Sequence, residues 1–264
     1  MNDVDELLKI MDRLRDPQSG CPWDLQQTNT TILPYTLEEI YELAEAISDN
    51  DNAAIKDELG DLLFQIMFYS RMASEAGHFS FGDVVRNISE KLVRRHPHVF
   101  GESNIHTADE QSISWEQIKQ RERESAGQTD TGLLDNISSA MPALICAMKL
   151  QKKAASVGFD WGQPEPVMDK IREELDEIRE VMDEGAEQTR LREEVGDLLF
   201  ACANLARHLK VDPEYALMGA NRKFRQRFGH IESQLTRQGR SLEEADLDEM
   251  EALWQEAKLV RSEE

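Results

Sequence analysis

Four carboxylates recur in pairs three residues apart: Glu174 with Glu177, and Glu194 with Asp197. Residues three apart share a helix face, so each pair projects from one side of its helix. At about 100° per residue, Glu174 and Glu177 are expected on the flank of an apolar stripe, with Glu194 and Asp197 on the same flank of the next helix. An antiparallel hairpin would then bring all four to the edge of a packed core. Converging carboxylates repel. Partly buried, they protonate or separate unless a cation neutralises them. Oxygen-only donors suit a hard divalent ion, Mg²⁺ or Mn²⁺, and few protein ligands leave room for waters and phosphate oxygens. Such an ion polarises a phosphoryl oxygen and generates a hydroxide nucleophile.

Cations lie one turn away. Lys170 stands four before Glu174, Arg190 stands four before Glu194, and Lys223 and Arg227 are four apart on a later amphipathic segment. Cations beside a metal cluster can bind the distal phosphates of a triphosphate. Trp254 offers a ring on which a base could stack. Plainer readings exist for each residue taken singly. One Glu-x-x-Glu is ordinarily a solvated helix face. Lys170–Glu174 and Arg190–Glu194 fit i,i+4 ion pairs, worth only a few tenths of a kcal/mol. Thr36-x-x-Glu39 fits a capping box, which would make Glu39 structural. A lone Trp254 is more often core than base platform.

Co-occurrence weighs against the plain readings, because the chain repeats itself. Residues 58–64 read Glu-Leu-Gly-Asp-Leu-Leu-Phe and residues 194–200 read Glu-Val-Gly-Asp-Leu-Leu-Phe. Upstream, Glu39-x-x-Glu42 matches Glu174-x-x-Glu177. Downstream, Lys91-x-x-x-Arg95 matches Lys223-x-x-x-Arg227. Three blocks in one order imply two homologous domains, expected over 1–105 and 135–264. A linker over 106–134 would hold a short helix from Ala108 to Arg123. The repeats differ in their cations. Tyr35 and Ala54 stand where the second repeat has Lys170 and Arg190, the helix at Lys91 and Arg95 runs into His96-Pro97, and Trp254 has no evident counterpart near the first repeat. The second repeat is therefore expected to carry most of the activity. Glu39, Glu42, Glu58 and Asp61 would form a secondary site, weak or idle.

Helical periodicity dominates the elements that must position these groups. Ile171, Leu175, Ile178 and Met182 recur at steps of three and four, as do Leu191, Val195, Leu198, Cys202, Leu205 and Leu209. Asp212-Pro213 predicts a capped helix start, and Ser241-x-x-Glu244 predicts a capping box for the last helix. Alternating β-branched runs are absent, so the class is all-α, packed as bundles.

The net charge of −22 repels nucleic-acid backbones and anionic lipid, so neither is an expected partner. Cys21, Cys146 and Cys202 lie far apart, form no Cys-x-x-Cys pair and fit a reducing compartment. The acidic N-terminus lacks signal-peptide character, and the most apolar run, 62–69, is too short to span a bilayer. A cytoplasmic protein is expected. A ferritin-like di-metal oxidase would need Glu-x-x-His, but position 177 is Glu and position 197 is Asp. A phosphate-cradling Gly-x-x-x-x-Gly-Lys-Ser/Thr loop is missing, against a P-loop ATPase. A non-enzymatic helical scaffold or nucleotide-binding regulator is the remaining alternative.

The repeated Glu-x-x-Glu…Glu-x-x-Asp pattern resembles the MazG family of nucleoside triphosphate pyrophosphohydrolases in its two-repeat bacterial form. Gly20-Cys21-Pro22-Trp23-Asp24, Arg94-Arg95-His96-Pro97-His98-Val99-Phe100 and Asn221-x-Lys223-Phe224-x-x-Arg227-Phe228 strengthen the likeness, which covers nearly the whole chain. The resemblance implies tandem all-α NTP pyrophosphatase-like bundles that form a homodimer. It implies Mg²⁺-dependent attack of water near the α–β phosphate linkage, releasing nucleoside monophosphate and pyrophosphate. Broad NTP and dNTP tolerance, with a house-cleaning or starvation-linked role, is implied as well. By that likeness Glu174, Glu177, Glu194 and Asp197 hold metal. Lys170, Arg190, Lys223 and Arg227 contact phosphates, and Trp254 contacts the nucleotide. Glu173 or Glu193 orients the water.

Overall fold

The computed structural model describes residues 3–101, positions 107, 110, 111, 114, 115, 118, 121 and 122, then 132–185 and 187–260. The chain divides into two compact units, Met1–Gly127 and Gln128–Glu264. Every regular element among the described residues is a helix. None is long and apolar enough to cross a membrane. Of the expected connecting helix over 108–123, positions 110, 111, 114, 115, 118, 121 and 122 are helical, and the rest lie outside the described residues.

The first unit contains α1 (Asp3–Leu14), α2 (Pro22–Gln26), α3 (Asn29–Asp49), α4 (Asn52–Glu75), α5 (Phe81–Arg95) and α6 (Pro97–Phe100). Helices α3 and α4 form a hairpin whose turn uses Asn50 at φ 55°, a conformation that Asn tolerates well. Asp51 then caps α4 by accepting from the Ala53 and Ala54 N–H groups. The start of α3 corrects one expectation. Thr28, not Thr36, is its N-cap, in a reciprocal box with Thr31. The helix continues through Pro34, leaving the Thr36 hydroxyl to meet Ile32 O and Tyr69 Oη mid-helix. Glu39 is thus released from any capping duty. Helices α1 and α5 pack on α4 around Met11, Ile32, Met67, Phe68 and Met72. Buried Arg15 staples this core. It donates to Glu75 at 2.7 Å and lies over the Phe68 ring at 5.2 Å.

The second unit contains α7 (Ala143–Ala155), α8 (Pro164–Asp183), α9 (Gln188–His208), α10 (Pro213–Arg237), a 3₁₀ turn (Leu242–Glu244) and α11 (Leu247–Val260). Helices α8 and α9 form the matching hairpin, α7 packs on α9 and α10, and α11 packs on α10. Asp212 caps α10 through the Tyr215 N–H, with Pro213 at its first position, as the sequence predicts. The Ser241–Glu244 box is present but opens the 3₁₀ turn. Helix α11 begins later, with Asp246 accepting from the Glu249 N–H at 2.9 Å. The reciprocal bonds close within a single turn, so they terminate a loop instead of starting the long helix.

The faces of α8 differ from the periodicity reading. The fully inward line is Val167, Glu174 and Val181, spaced by seven. The residues one position later, Met168, Leu175 and Met182, are 44%, 42% and 65% exposed. Val195 and Leu199 of α9 are likewise exposed. Hydrophobic periodicity locates an apolar face but not what covers it. Here the carboxylate line turns into the hairpin, and much of the apolar stripe turns outward.

Candidate metal and phosphate site

In the second unit, oxygens of Glu174, Glu194 and Asp197 lie within 4.8 Å of one another. Glu174 comes from the inner line of α8, and Glu194 and Asp197 come from facing turns of α9. Only 3% of Glu174 is exposed, and its Oε2 is buried without a hydrogen-bond partner. Its Oε1 receives Lys170 Nζ at 2.9 Å, and the same ammonium reaches Glu173 Oε1 at 2.8 Å. These two carboxylates push the Lys170 ammonium above its usual range, Glu173 acting most strongly. Glu177, the fourth carboxylate expected from the sequence, is not part of that trio but lies near enough to feel it. Burial raises its carboxyl first, and the nearby charges of Glu174 and Glu194 raise it further, against Lys170. The site thus joins an oxygen-only donor set, one orphaned buried oxygen and one cation.

The first unit builds the same shape without the cation. Oxygens of Glu39, Glu58 and Asp61 also lie within 4.8 Å of one another. Burial raises the Glu39 carboxyl, followed by repulsion from Asp61, Glu42, Glu58 and Glu38. Burial also leads the upward shift of Glu58, helped by Glu42, Asp61 and Asp57. In place of Lys170 stands Tyr35, whose ring meets Trp23 edge-on at 5.6 Å. Besides burial, only other carboxylates act on these two glutamates among the described residues.

The remaining sequence candidates are more dispersed. Arg190 does not pair with Glu194. It binds Glu184 at 2.7 Å, because the short α8–α9 connection brings that acid to the first turn of α9. Lys223 is exposed on α10. Arg227 lies over the Trp254 ring at 5.4 Å, and Phe224 meets the same ring at 5.2 Å. This second cluster sits on the α10–α11 pair. Glu193 is exposed beside Glu194.

The family model described as the MazG nucleotide pyrophosphohydrolase domain matches this chain twice, over residues 27–100 and 163–231. The chain belongs to the MazG family. Among its relatives, the nucleoside triphosphate pyrophosphohydrolase of Escherichia coli K12 is 50% identical over 98% of both chains. The nucleoside triphosphate pyrophosphohydrolase/pyrophosphatase MazG of Thermotoga maritima is 44% identical over 96% of this chain and 95% of its own. A solved MazG-related protein from Thermotoga maritima is 30% identical, covering 44% of this chain and 98% of its own, with a TM-score of 0.38. The two MazG matches enclose both carboxylate clusters, Lys170, Lys223 and Arg227, and stop short of Trp254.

One further element of this MazG chain escaped the sequence reading. Asp160, in the loop before α8, accepts from Arg207 at 2.6 Å and lies 3.0 Å from His208 Nε2. Arg207 leads the lowering of its carboxyl. The contact ties the entry of α8 to the end of α9 and so fixes the hairpin that carries the carboxylates. Asp160 precedes Arg207 by 47 residues and His208 by 48, so no local pattern announces the pairing.

Proposed function

We propose that the second unit hydrolyses nucleoside triphosphates between the α- and β-phosphates, releasing the monophosphate and pyrophosphate with Mg²⁺ as cofactor. Membership of a pyrophosphohydrolase family sets the enzyme class. The observation that carries the detailed reading is the orphaned Glu174 Oε2 inside a cluster of oxygen donors. A buried carboxylate oxygen with no donor is costly, and a hard cation is the partner that this donor set fits. Glu174, Glu177, Glu194 and Asp197 would hold it, Mn²⁺ being an acceptable substitute.

When bound, the ion neutralises phosphate charge and acidifies a water. The chain's own groups do the rest. Lys170 exchanges one of its two carboxylate partners for a phosphate oxygen. Glu173 is tied to Lys170, which leaves the exposed Glu193 the more available of the two to accept the water's proton. Arg227 and Lys223 bind the departing pyrophosphate oxygens, and Arg190 joins them after leaving Glu184. Trp254 and Phe224 offer ring faces instead of base-edge hydrogen bonds. Stacking of that kind tolerates any base and suits broad NTP and dNTP use in nucleotide house-cleaning or starvation. The first unit's carboxylates would form the weaker or idle site.

The outward Met168, Leu175, Met182, Val195 and Leu199 call for a cover, and a homodimer supplies one. Abundant nucleotides and three unpaired cysteines fit the cytoplasm. The test is product analysis of the purified chain with Mg²⁺ and each NTP and dNTP. Pyrophosphate is expected, lost on chelation. Mainly orthophosphate would overturn the proposal.

A further inference from the structure

Two arginines at the end of α5 converge on one carboxylate from the connecting segment. Glu122 Oε2 accepts from Arg95 Nη2 at 2.6 Å, and Oε1 accepts from Arg94 Nε at 2.8 Å and Arg95 Nε at 3.4 Å. Arg95 and Glu122 are three-quarters covered, at 25% and 24% side-chain exposure. The two guanidiniums, Arg95 first, hold the Glu122 carboxyl down to about 2. The same segment also takes the Arg95 backbone. Trp115 Nε1 donates to the Arg95 carbonyl at 2.9 Å, and the Trp115 ring meets His96 edge-on at 5.4 Å.

This arrangement has a counterpart in the second unit. By repeat register Arg95 corresponds to Arg227, and each stands against a tryptophan from the segment that follows. Arg227 lies over Trp254, whereas Arg95 is bonded to Trp115. Trp115-x-x-x-Lys119 matches Trp254-x-x-x-Lys258, so the sequence does hold a first-repeat equivalent of Trp254. The charge seven residues later is reversed, Glu122 in one and Arg261 in the other. A carboxylate gripped by two guanidiniums reproduces the contacts that a phosphate would make there.

We infer that the first unit holds a second nucleotide-phosphate site, built on Arg94, Arg95 and Trp115 and stoppered by the chain's own Glu122. The inference rests on the proposed nucleotide contacts of Arg227 and Trp254. The stopper competes as an intramolecular ligand, whose effective concentration is on the order of millimolar. Nucleotide must therefore be abundant, or Glu122 displaced, before the site fills.

The test counts sites by calorimetry on the full chain, using Mg²⁺ with a triphosphate analogue whose α–β bridge is methylene. One analogue per chain is expected for wild type and two for Glu122→Gln, the added step tightening by at least about tenfold on loss of the competing charge. Adding Arg95→Gln to Glu122→Gln should return the count to one. An unchanged count in Glu122→Gln, or a second site that survives Arg95→Gln, would overturn the inference. No binding by wild type at all would instead overturn the assignment of the second unit. If Glu122→Gln does not fold, wild type decides: millimolar inorganic tripolyphosphate should speed deuterium exchange in the peptide spanning 110–122. Unchanged exchange there would also overturn it.

Discussion

Replacing Lys170 by Met separates two duties that this side chain is proposed to combine. The ammonium lies 2.9 Å from Glu174 Oε1, on a carboxylate that is only 4% exposed, while Lys170 itself is 33% exposed. Unit charges about 4 Å apart interact by about 4 kcal/mol at an effective dielectric near 20. Solvent at the lysine screens that attraction, and its removal recovers some desolvation, so the net loss should be about 1–2 kcal/mol. For a unit of this size that lowers the metal-free melting temperature by about 4–8 °C. Circular dichroism in chelator should show the drop. Millimolar Mg²⁺ should then restore most of it, because a second cation neutralises the same carboxylates. Turnover at saturating Mg²⁺ should stay about tenfold down, since the phosphate contact is still missing. An unchanged metal-free melting temperature would refute the neutralising role of Lys170. A lower melting temperature with full turnover would refute its contact with phosphate.

Other perturbations test the remaining assignments. Asp197→Ala should cost at least about 100-fold in turnover, the scale of losing a principal charge-stabilising group, and Asp61→Ala far less. A larger loss from Asp61→Ala would reverse the two sites. Mg²⁺ should raise the wild-type melting temperature by mass action, with a smaller rise in Asp197→Asn; equal rises would place the ion elsewhere. Glu39 has a raised carboxyl, so the folded chain holds that proton more tightly than the unfolded one. Its contribution favours folding in acid and becomes a penalty as pH rises through the folded value. Glu39→Gln should therefore raise the metal-free melting temperature near pH 7 but not near pH 4; equal gains at both would contradict the repulsion. Light scattering at micromolar concentration should exceed the monomer mass of 30.2 kDa, and the monomer mass itself would count against the homodimer.

The all-α class and the two carboxylate hairpins were legible because they rest on local spacing. Glu194-x-x-Asp197 must share a helix face whatever the rest of the chain does, and Asp212-Pro213 needs only its own turn. What stayed hidden depended on neighbours in space. Thr36 matched a cap pattern but lies inside a helix already begun at Thr28. Arg190 is four from Glu194, yet Glu184 offers a closer carboxylate from the preceding loop. Asp160 and Arg207 meet only after folding. The inward line of α8 was misjudged because Glu174 occupies a position where pattern reasoning expects an aliphatic residue. Trp115 was legible only as part of a connecting helix, since its partner is a backbone carbonyl, which every residue carries.

On α8, each inward residue is followed at once by an outward apolar one: Val167 by Met168, Glu174 by Leu175 and Val181 by Met182. The helix is a two-sided axle, and its sides are separated by one residue step of about 100°. A partner on the outer side, as proposed above, would share with the buried Val167 and Val181 in setting the angle to which the axle is turned, and that angle aims Glu174. A small torque from a poorly filled outer contact would swing that carboxylate without touching it. In a mutational scan, polar changes at Leu175 or Met182 would then register as catalytic lesions, although neither side chain meets a phosphate. The tolerance map of such a helix follows its rotation, not its distance from the chemistry.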